Sequence, residues 1–164
     1  MLKGKAFKFG DDISTDAIVP GKYAALRSDL PELAKHVLED ADPTFASKVQ
    51  KGDFVVGGKN FGLGSAREHA PAVIKIAGVS AILAKSVARI FFRNAINQGM
   101  PVLICDTDQI NNGDELEIDL ENGIIFNLTN GKQLIFSKIP PVMLKILEGG
   151  GLLPYIKIHK SLKL

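Results

Sequence analysis

Phe54-Val55-Val56-Gly57-Gly58, Val79-Ser80-Ala81-Ile82-Leu83-Ala84 and Pro101-Val102-Leu103-Ile104-Cys105 are three short apolar runs. Runs of this length with little polar alternation are the pattern of strands covered on both faces. Between the first two, Ala70, Val73, Ile74 and Ala77 share one helical face, closed by Gly78. Between the second and third, Val87, Ile90, Phe91 and Ile96 repeat the pattern, closed by Gly99. Glycine just past the last periodic residue is an ordinary helix stop. Strands alternating with helices predict a βαβαβ unit, with parallel strands and right-handed crossovers.

Working outward, Lys3-Gly4-Lys5-Ala6-Phe7-Lys8-Phe9 alternates like a strand with one buried face. A polar turn follows at residues 10–16. Residues 30–40 read as a helix, with Pro31 in its first turn and Leu33, Val37 and Leu38 facing inward. On the C-terminal side, Leu116-Glu117-Ile118-Asp119-Leu120 alternates strictly, and Asn122-Gly123 and Asn130-Gly131 separate further alternating runs. Asn-Gly between such runs signals hairpins. Residues 140–148 read as a helix stopped by Gly149-Gly150-Gly151, and the apolar run at 152–158 is expected to return to the sheet. With no repeat or linker, residues 1–164 are expected to form a single α/β domain. Its parallel centre would carry an antiparallel β-hairpin excursion.

Composition excludes several classes of function. Twenty basic and 18 acidic side chains leave a net charge of +2, with no basic stripe of the kind nucleic acid requires. No window approaches the ~18 consecutive apolar residues of a membrane span, and the N-terminus lacks a signal-peptide core. The lone cysteine, Cys105, lies in an apolar run and reads as a buried strand thiol. One cysteine cannot hold an iron–sulfur cluster or a structural zinc, so no metal site is expected in this chain. A reducing, cytoplasmic setting fits.

The segment bearing chemistry is Gly57-Gly58-Lys59-Asn60-Phe61-Gly62-Leu63-Gly64-Ser65-Ala66-Arg67-Glu68-His69-Ala70-Pro71. Ser65 with Glu68 three residues later fits a capping box opening a helix. Flanking glycines and an arginine exceed what a cap needs. Helix-terminal N–H groups stabilise anions, and Arg67 can hold a carboxylate through two parallel hydrogen bonds. Spacing alone points to an anion-binding loop and leaves base catalysis by Ser65 open. A phosphate loop needs Gly-Lys-Ser/Thr at the helix entrance, and Gly64-Ser65-Ala66-Arg67 is not that. A dinucleotide fingerprint and a nucleophile elbow are absent too.

The string Asn60-Phe61-Gly62-x-Gly64-Ser65-x-Arg67-Glu68-His69-Ala70-Pro71 resembles the signature loop of the aconitase superfamily's swivelling domain. Ser14-Thr15-Asp16-Ala17-Ile18-Val19-Pro20 and Ala88-Arg89-Ile90-Phe91-Phe92-Arg93-Asn94-Ala95-Ile96-Asn97-x-Gly99 resemble two further blocks, in the same order and at the same spacing. Over nearly its whole length the chain is similar to the stand-alone small subunits of isopropylmalate isomerase, homoaconitase and dimethylmalate dehydratase. The resemblance implies an aconitase-type β/β/α swivelling fold and a hydro-lyase, active only with a large subunit that carries a [4Fe–4S] cluster. The reaction it implies is dehydration and rehydration of a small hydroxy di- or tricarboxylate. For the isopropylmalate type this interconverts 2- and 3-isopropylmalate in leucine biosynthesis.

On that resemblance Ser65 is the base that removes the proton alpha to a carboxylate, and Arg67 binds the substrate carboxylate. Asp16 is a site-lining acid that orients the base or its partners. The family usually has Cys at Leu63 and a second Ser at Ala66; Ala66 removes one hydrogen bond from the substrate cradle. Residues Tyr23 to Asp29 lie where relatives carry a specificity loop. Ala25 stands where homoaconitase-type chains place an arginine, which suits an isopropyl group. Arg27 reads equally as a solvated loop side chain or as a substrate contact. Arg89 and Arg93, one helical turn apart, are expected to serve structure or subunit contact. His69 is expected to bond locally, His36 and His159, which have no partners in the sequence, to lie on the surface, and Asp11 and Asp12 to serve local turns. The rival from another class is a non-catalytic anion-binding or interaction module on the same fold.

Overall fold

The apolar runs around Val55, Ile82 and Leu103 form the parallel half of one seven-stranded sheet in a computed structural model that describes residues 1–160. In chain order the elements are β1 (Leu2–Lys8), α1 (Thr15–Ile18), a 3-10 segment (Gly21–Leu26), α2 (Leu30–Ala34), α3 (Phe45–Lys48), β2 (Phe54–Val56), α4 (His69–Ile76), β3 (Ala81–Ala84), α5 (Arg89–Asn97) and β4 (Val102–Ile104). A second 3-10 turn (Thr107–Gln109), β5 (Glu115–Asp119), β6 (Ile124–Asn127), β7 (Gln133–Ile135), α6 (Pro141–Glu148) and α7 (Leu152–His159) complete the described chain.

The strand order is β4-β3-β2-β1-β5-β6-β7. Strands β1 to β4 pair in parallel, with Phe7 opposite Val55, Val55 opposite Ile82, and Ile82 opposite Val102. On its other edge β1 pairs antiparallel with β5, and β5–β6–β7 continue as hairpins. The expected antiparallel hairpin excursion thus extends the parallel centre from the free edge of β1, within one sheet. Past β7 the Ser137 N–H donates to the Ile104 carbonyl at 3.2 Å, so the sheet curls until its far end meets β4.

Strand periodicity sorts the side chains into two cores. Val55, Ile82 and Val102 pack with Ile18, Leu33, Ala70, Val73 and Phe91 under the helices. Phe54, Val56, Leu83 and Leu103 point the other way, against Leu116, Ile118, Ile125, Leu134 and Phe136 from the hairpin half. Sheet folded on sheet with helices outside is the expected β/β/α arrangement. Cys105 lies in the inter-sheet core, where burial pushes its thiol up to about 12 and keeps it protonated.

Two elements differ from their sequence reading. The helix expected over 30–40 ends at Ala34 and continues as three-residue turns, with Leu38 at φ 56° donating its N–H to Ile18 O. Leu33 and Leu38 are both buried in the same core, yet in a continuous helix residues five apart point about 140° away from each other. Breaking the helix brings both inward. The run at 152–158 is helix α7 and not a strand. Leu152 and Tyr155 close over Ile96 and Ile146, so an apolar surface on α5 and α6 selects the helical option for a short apolar run that is ambiguous by itself.

Phe136 is fully buried at the curl. Phe136→Ala is expected to cost about 3–5 kcal/mol, read as a lowered urea midpoint at an unchanged slope.

Candidate active site

Three segments leave the C-terminal ends of β1, β2 and β3 and are laced together by backbone hydrogen bonds. From the central 57–68 loop, the Gly58 N–H donates to Gly10 O at 3.0 Å and the Gly62 N–H to Ile13 O at 2.7 Å. The Thr15 N–H returns a bond to Leu63 O at 2.9 Å, and Thr15 Oγ1 donates to Ser65 O at 2.9 Å. On the other flank the Phe61 N–H donates to Ser86 O and the Ala88 N–H to Phe61 O. Thr107, after β4, ties in Gly57 O through its hydroxyl at 2.8 Å. The crevice beyond the carboxyl ends of parallel strands is where α/β sheets place ligands.

The loop holds a cleft of about 330 Å³ lined by Thr15, Ser65, Ala66, Arg67, Arg89, Ile90 and their neighbours. Gly62 and Gly64 take φ of 79° and 102°, which side chains with a Cβ resist. A Cβ on Gly62 would fall 2.2 Å from the Phe91 ring. The close approach that Gly62 permits is thus to the protein's own α5.

The capping box expected at Ser65 and Glu68 does not form. Helix α4 starts at His69, Glu68 is its N-cap, and no side chain caps it. Ser65 sits upstream in the bend, exposed and on the cleft wall. The tether from Thr15 to the Ser65 carbonyl competes with helix formation there. The helix end that meets the cleft is that of α5. Its N-cap, Ala88, has no capping side chain, and the first-turn N–H groups of Arg89, Ile90 and Phe91 have no intrahelical acceptor. The electropositive tip assigned to α4 therefore belongs to α5.

Arg67 is half-buried beside Ser65. Its Nη1 donates to Val19 O at 2.7 Å and to Asp16 Oδ1 at 3.3 Å. Asp16 lies at the start of α1, where Ser14 caps the helix through Ala17 N–H, and its Oδ1 also accepts from the Gly21 N–H. Asp16 thus touches Arg67 but not Ser65. Ala66 is on the cleft wall. Arg27, at the end of the 3-10 segment, is exposed and off that wall, although its charge reaches His69.

Three cleft residues lay outside the sequence-derived site. Ile90 was assigned to the α5 core face but is 52% exposed, because Phe91, Ala95 and Ile96 take the buried positions. Arg89 and Asn94 line the same cleft. The signal for them was the helix phase: starting α5 at Arg89 turns Ile90 outward. Asp11 and Asp12 serve no local turn. Asp11 accepts from Lys59 N–H and Asp12 from Asn60 Nδ2, each 48 residues away. His36, partly exposed, stacks on Tyr23 at 3.9 Å and bonds Glu39. His159 lies against Tyr155.

The described residues contain no group of three or more His, Cys, Asp and Glu suited to a metal. Cys105 is shut between the sheets, so this chain offers no ligand set that fits an iron–sulfur cluster. No helix among the described residues is long and apolar enough to cross a membrane.

Comparison with known proteins places this geometry. Residues 15–107 match the Aconitase C-terminal domain family. The chain is 63% identical to 3-isopropylmalate dehydratase small subunit 2 of Archaeoglobus fulgidus, covering 99% of each. It is 62% identical to small subunit 1 of the same enzyme from Thermotoga maritima, covering 98% of each. A relative at 52% identity, the isopropylmalate/citramalate isomerase small subunit of Methanocaldococcus jannaschii, is matched over 96% of this chain and 94% of its own. A crystal structure of 3-isopropylmalate dehydratase from that organism superposes with a TM-score of 0.92 at 47% identity, covering 97% of this chain and 95% of that one.

Burial first, then the charges of Arg27 and Arg67, lower the pKa of His69. Its imidazole is expected to titrate below the ordinary ~6.5. The unfolded chain then takes the proton first, so stability falls as pH drops below that value. NMR titration of His69, and a smaller loss of urea resistance from about pH 7 to 5 in His69→Gln, check the expectation.

Proposed function

The chain belongs to the aconitase C-terminal domain family, among the 3-isopropylmalate dehydratase small subunits, and from that premise we propose how its cleft serves the reaction. It is a hydro-lyase subunit of leucine biosynthesis that works with a large subunit. The proposed reaction is the interconversion of 2- and 3-isopropylmalate by loss and return of water. In this reading residues 1–164 act as one swivelling domain in the cytoplasm, closing onto a large subunit that carries the [4Fe–4S] cluster. The observation that carries the reading is the presence of Ser65 and Arg67 on the wall of one cleft at the strand ends.

This chain's share of the chemistry is the proton. Removing hydrogen from the carbon next to a carboxylate puts charge on that carboxylate, so a cation beside it stabilises the transition state. Arg67 has Nη1 committed inward to Val19 and Asp16, which fixes the plane of the guanidinium and leaves its other edge for one carboxylate in a two-point contact. Asp16 acts through Arg67 as a positioning residue. Ser65 Oγ takes the carbon-bound proton as an alkoxide and returns it in the reverse direction. The free N–H groups opening α5 and the two arginines of the cleft favour that negative oxygen. Ala66, on the cleft wall, has no side-chain hydrogen bond to offer. The apolar contact for the isopropyl group comes from Ile90 on the cleft wall, whereas Ala25 faces solvent on the 3-10 segment. An apolar wall favours isopropylmalate over homocitrate-type substrates with an added carboxylate.

Co-expression with a candidate large subunit tests the function. The assembly is expected to turn over isopropylmalate in preference to homocitrate-type substrates, and this chain alone is expected to be inactive. Ser65→Ala in the assembly should lower turnover by about 10²–10⁴-fold with the melting temperature unchanged; near-normal turnover removes Ser65 from the mechanism. Arg67→Lys is expected to lower kcat/KM by about tenfold or more, since an ammonium cannot form the fork. Retention of the wild-type value would defeat that assignment.

A further inference from the structure

We propose that Arg89 binds the second carboxylate of the substrate, a role that rests on the hydroxy-dicarboxylate reading above. Isopropylmalate presents two carboxylates, and Arg67 has one guanidinium edge to offer. The cleft wall carries one other cation, Arg89. Among the described residues Arg67 is the arginine with a carboxylate partner, Asp16. Arg89 makes no ion pair or side-chain hydrogen bond there and is exposed. An uncompensated guanidinium facing the same cavity as the proposed base is poised for an anion.

Its position is fixed relative to Ser65 by contacts on both sides. The Ala88 N–H, just before Arg89, donates to Phe61 O at 2.9 Å. Phe91, two residues after it, is buried against Gly62 and meets the Phe61 ring edge-on at 5.4 Å between centroids. These contacts tie the loop that carries Ser65 to the helix that carries Arg89. The same wall exposes Ile90, which suits the isopropyl branch borne by one of the two carboxyl-bearing carbons. Arg27, the other candidate, is not on this wall. Arg93 shares the helix and borders with Arg89 a neighbouring groove that includes Lys85 and Met143, but it does not line the Ser65 cleft, which makes it the control.

The test uses the chain assembled with its large subunit. Arg89→Gln is expected to raise KM for isopropylmalate about tenfold or more, one lost charge-assisted contact, with a smaller change in kcat. Arg89→Lys should restore part of the loss, and Arg93→Gln should stay within about twofold of wild type. Wild type should discriminate against a monomethyl ester of isopropylmalate, and Arg89→Gln should lose that discrimination. Sedimentation measures subunit association in parallel. An unchanged KM in Arg89→Gln, or a KM rise that disappears at saturating large subunit, overturns the proposal and leaves the proposed function standing. A wild-type assembly inactive on isopropylmalate sinks the function reading, and this one with it.

Discussion

The site depends on a short ladder of backbone hydrogen bonds that fastens the 57–68 loop to the turn after β1. The Gly62 N–H reaches Ile13 O, the Thr15 N–H reaches Leu63 O, and the Thr15 hydroxyl reaches the carbonyl of Ser65. These bonds satisfy polar backbone that would otherwise be left unpaired where three loops crowd together. They also hold Ser65 out of α4, on the cleft wall, where its hydroxyl is not spent on a cap. A residue that a local rule sends to a helix terminus is kept free by a partner 50 residues away.

The curled sheet supports that ladder. Because β1 pairs with β2 on one edge and β5 on the other, the turn after β1 emerges beside the loop after β2. The hairpin half folds beneath and fills the inter-sheet core with Phe136, Ile125 and Leu116. The parallel strands are then covered on both faces, the condition their unbroken apolar runs require. The cleft opens at the one end of these strands where loops, not packed side chains, meet solvent. Precise placement of the site residues follows from rigid elements on either side of it.

Electrostatics follow from the same geometry. Arg67 is steered by Val19 and Asp16, and Arg89 is held by Phe61 and Gly62 through its neighbours. The uncapped start of α5 adds partial positive charge to a cleft with little negative charge on its wall. That field suits an anionic substrate and an oxygen that must carry negative charge. The lowered pKa of His69 has a different origin: burial first, with the charges of Arg27 and Arg67 adding to it.

By itself the sequence determined the parallel strand–helix centre, the two Asn-Gly hairpins, the buried thiol of Cys105 and the glycine-flanked loop that carries Ser65 and Arg67. Each is written in residues close together in the chain, as a period, a turn type or a spacing. Only the tertiary structure decided that the hairpins complete the main sheet, that residues 152–158 are helical, and that the helix at 30–34 breaks to bury Leu38. It also decided that the electropositive tip at the cleft belongs to α5, bringing Arg89 and Ile90 to Ser65 while leaving Arg27 outside. Those outcomes depend on which surfaces must be covered and which backbone groups find partners across tens of residues. A short apolar run or a Ser-x-x-Glu cap satisfies its local rule equally well in either conformation, so the choice is made by packing.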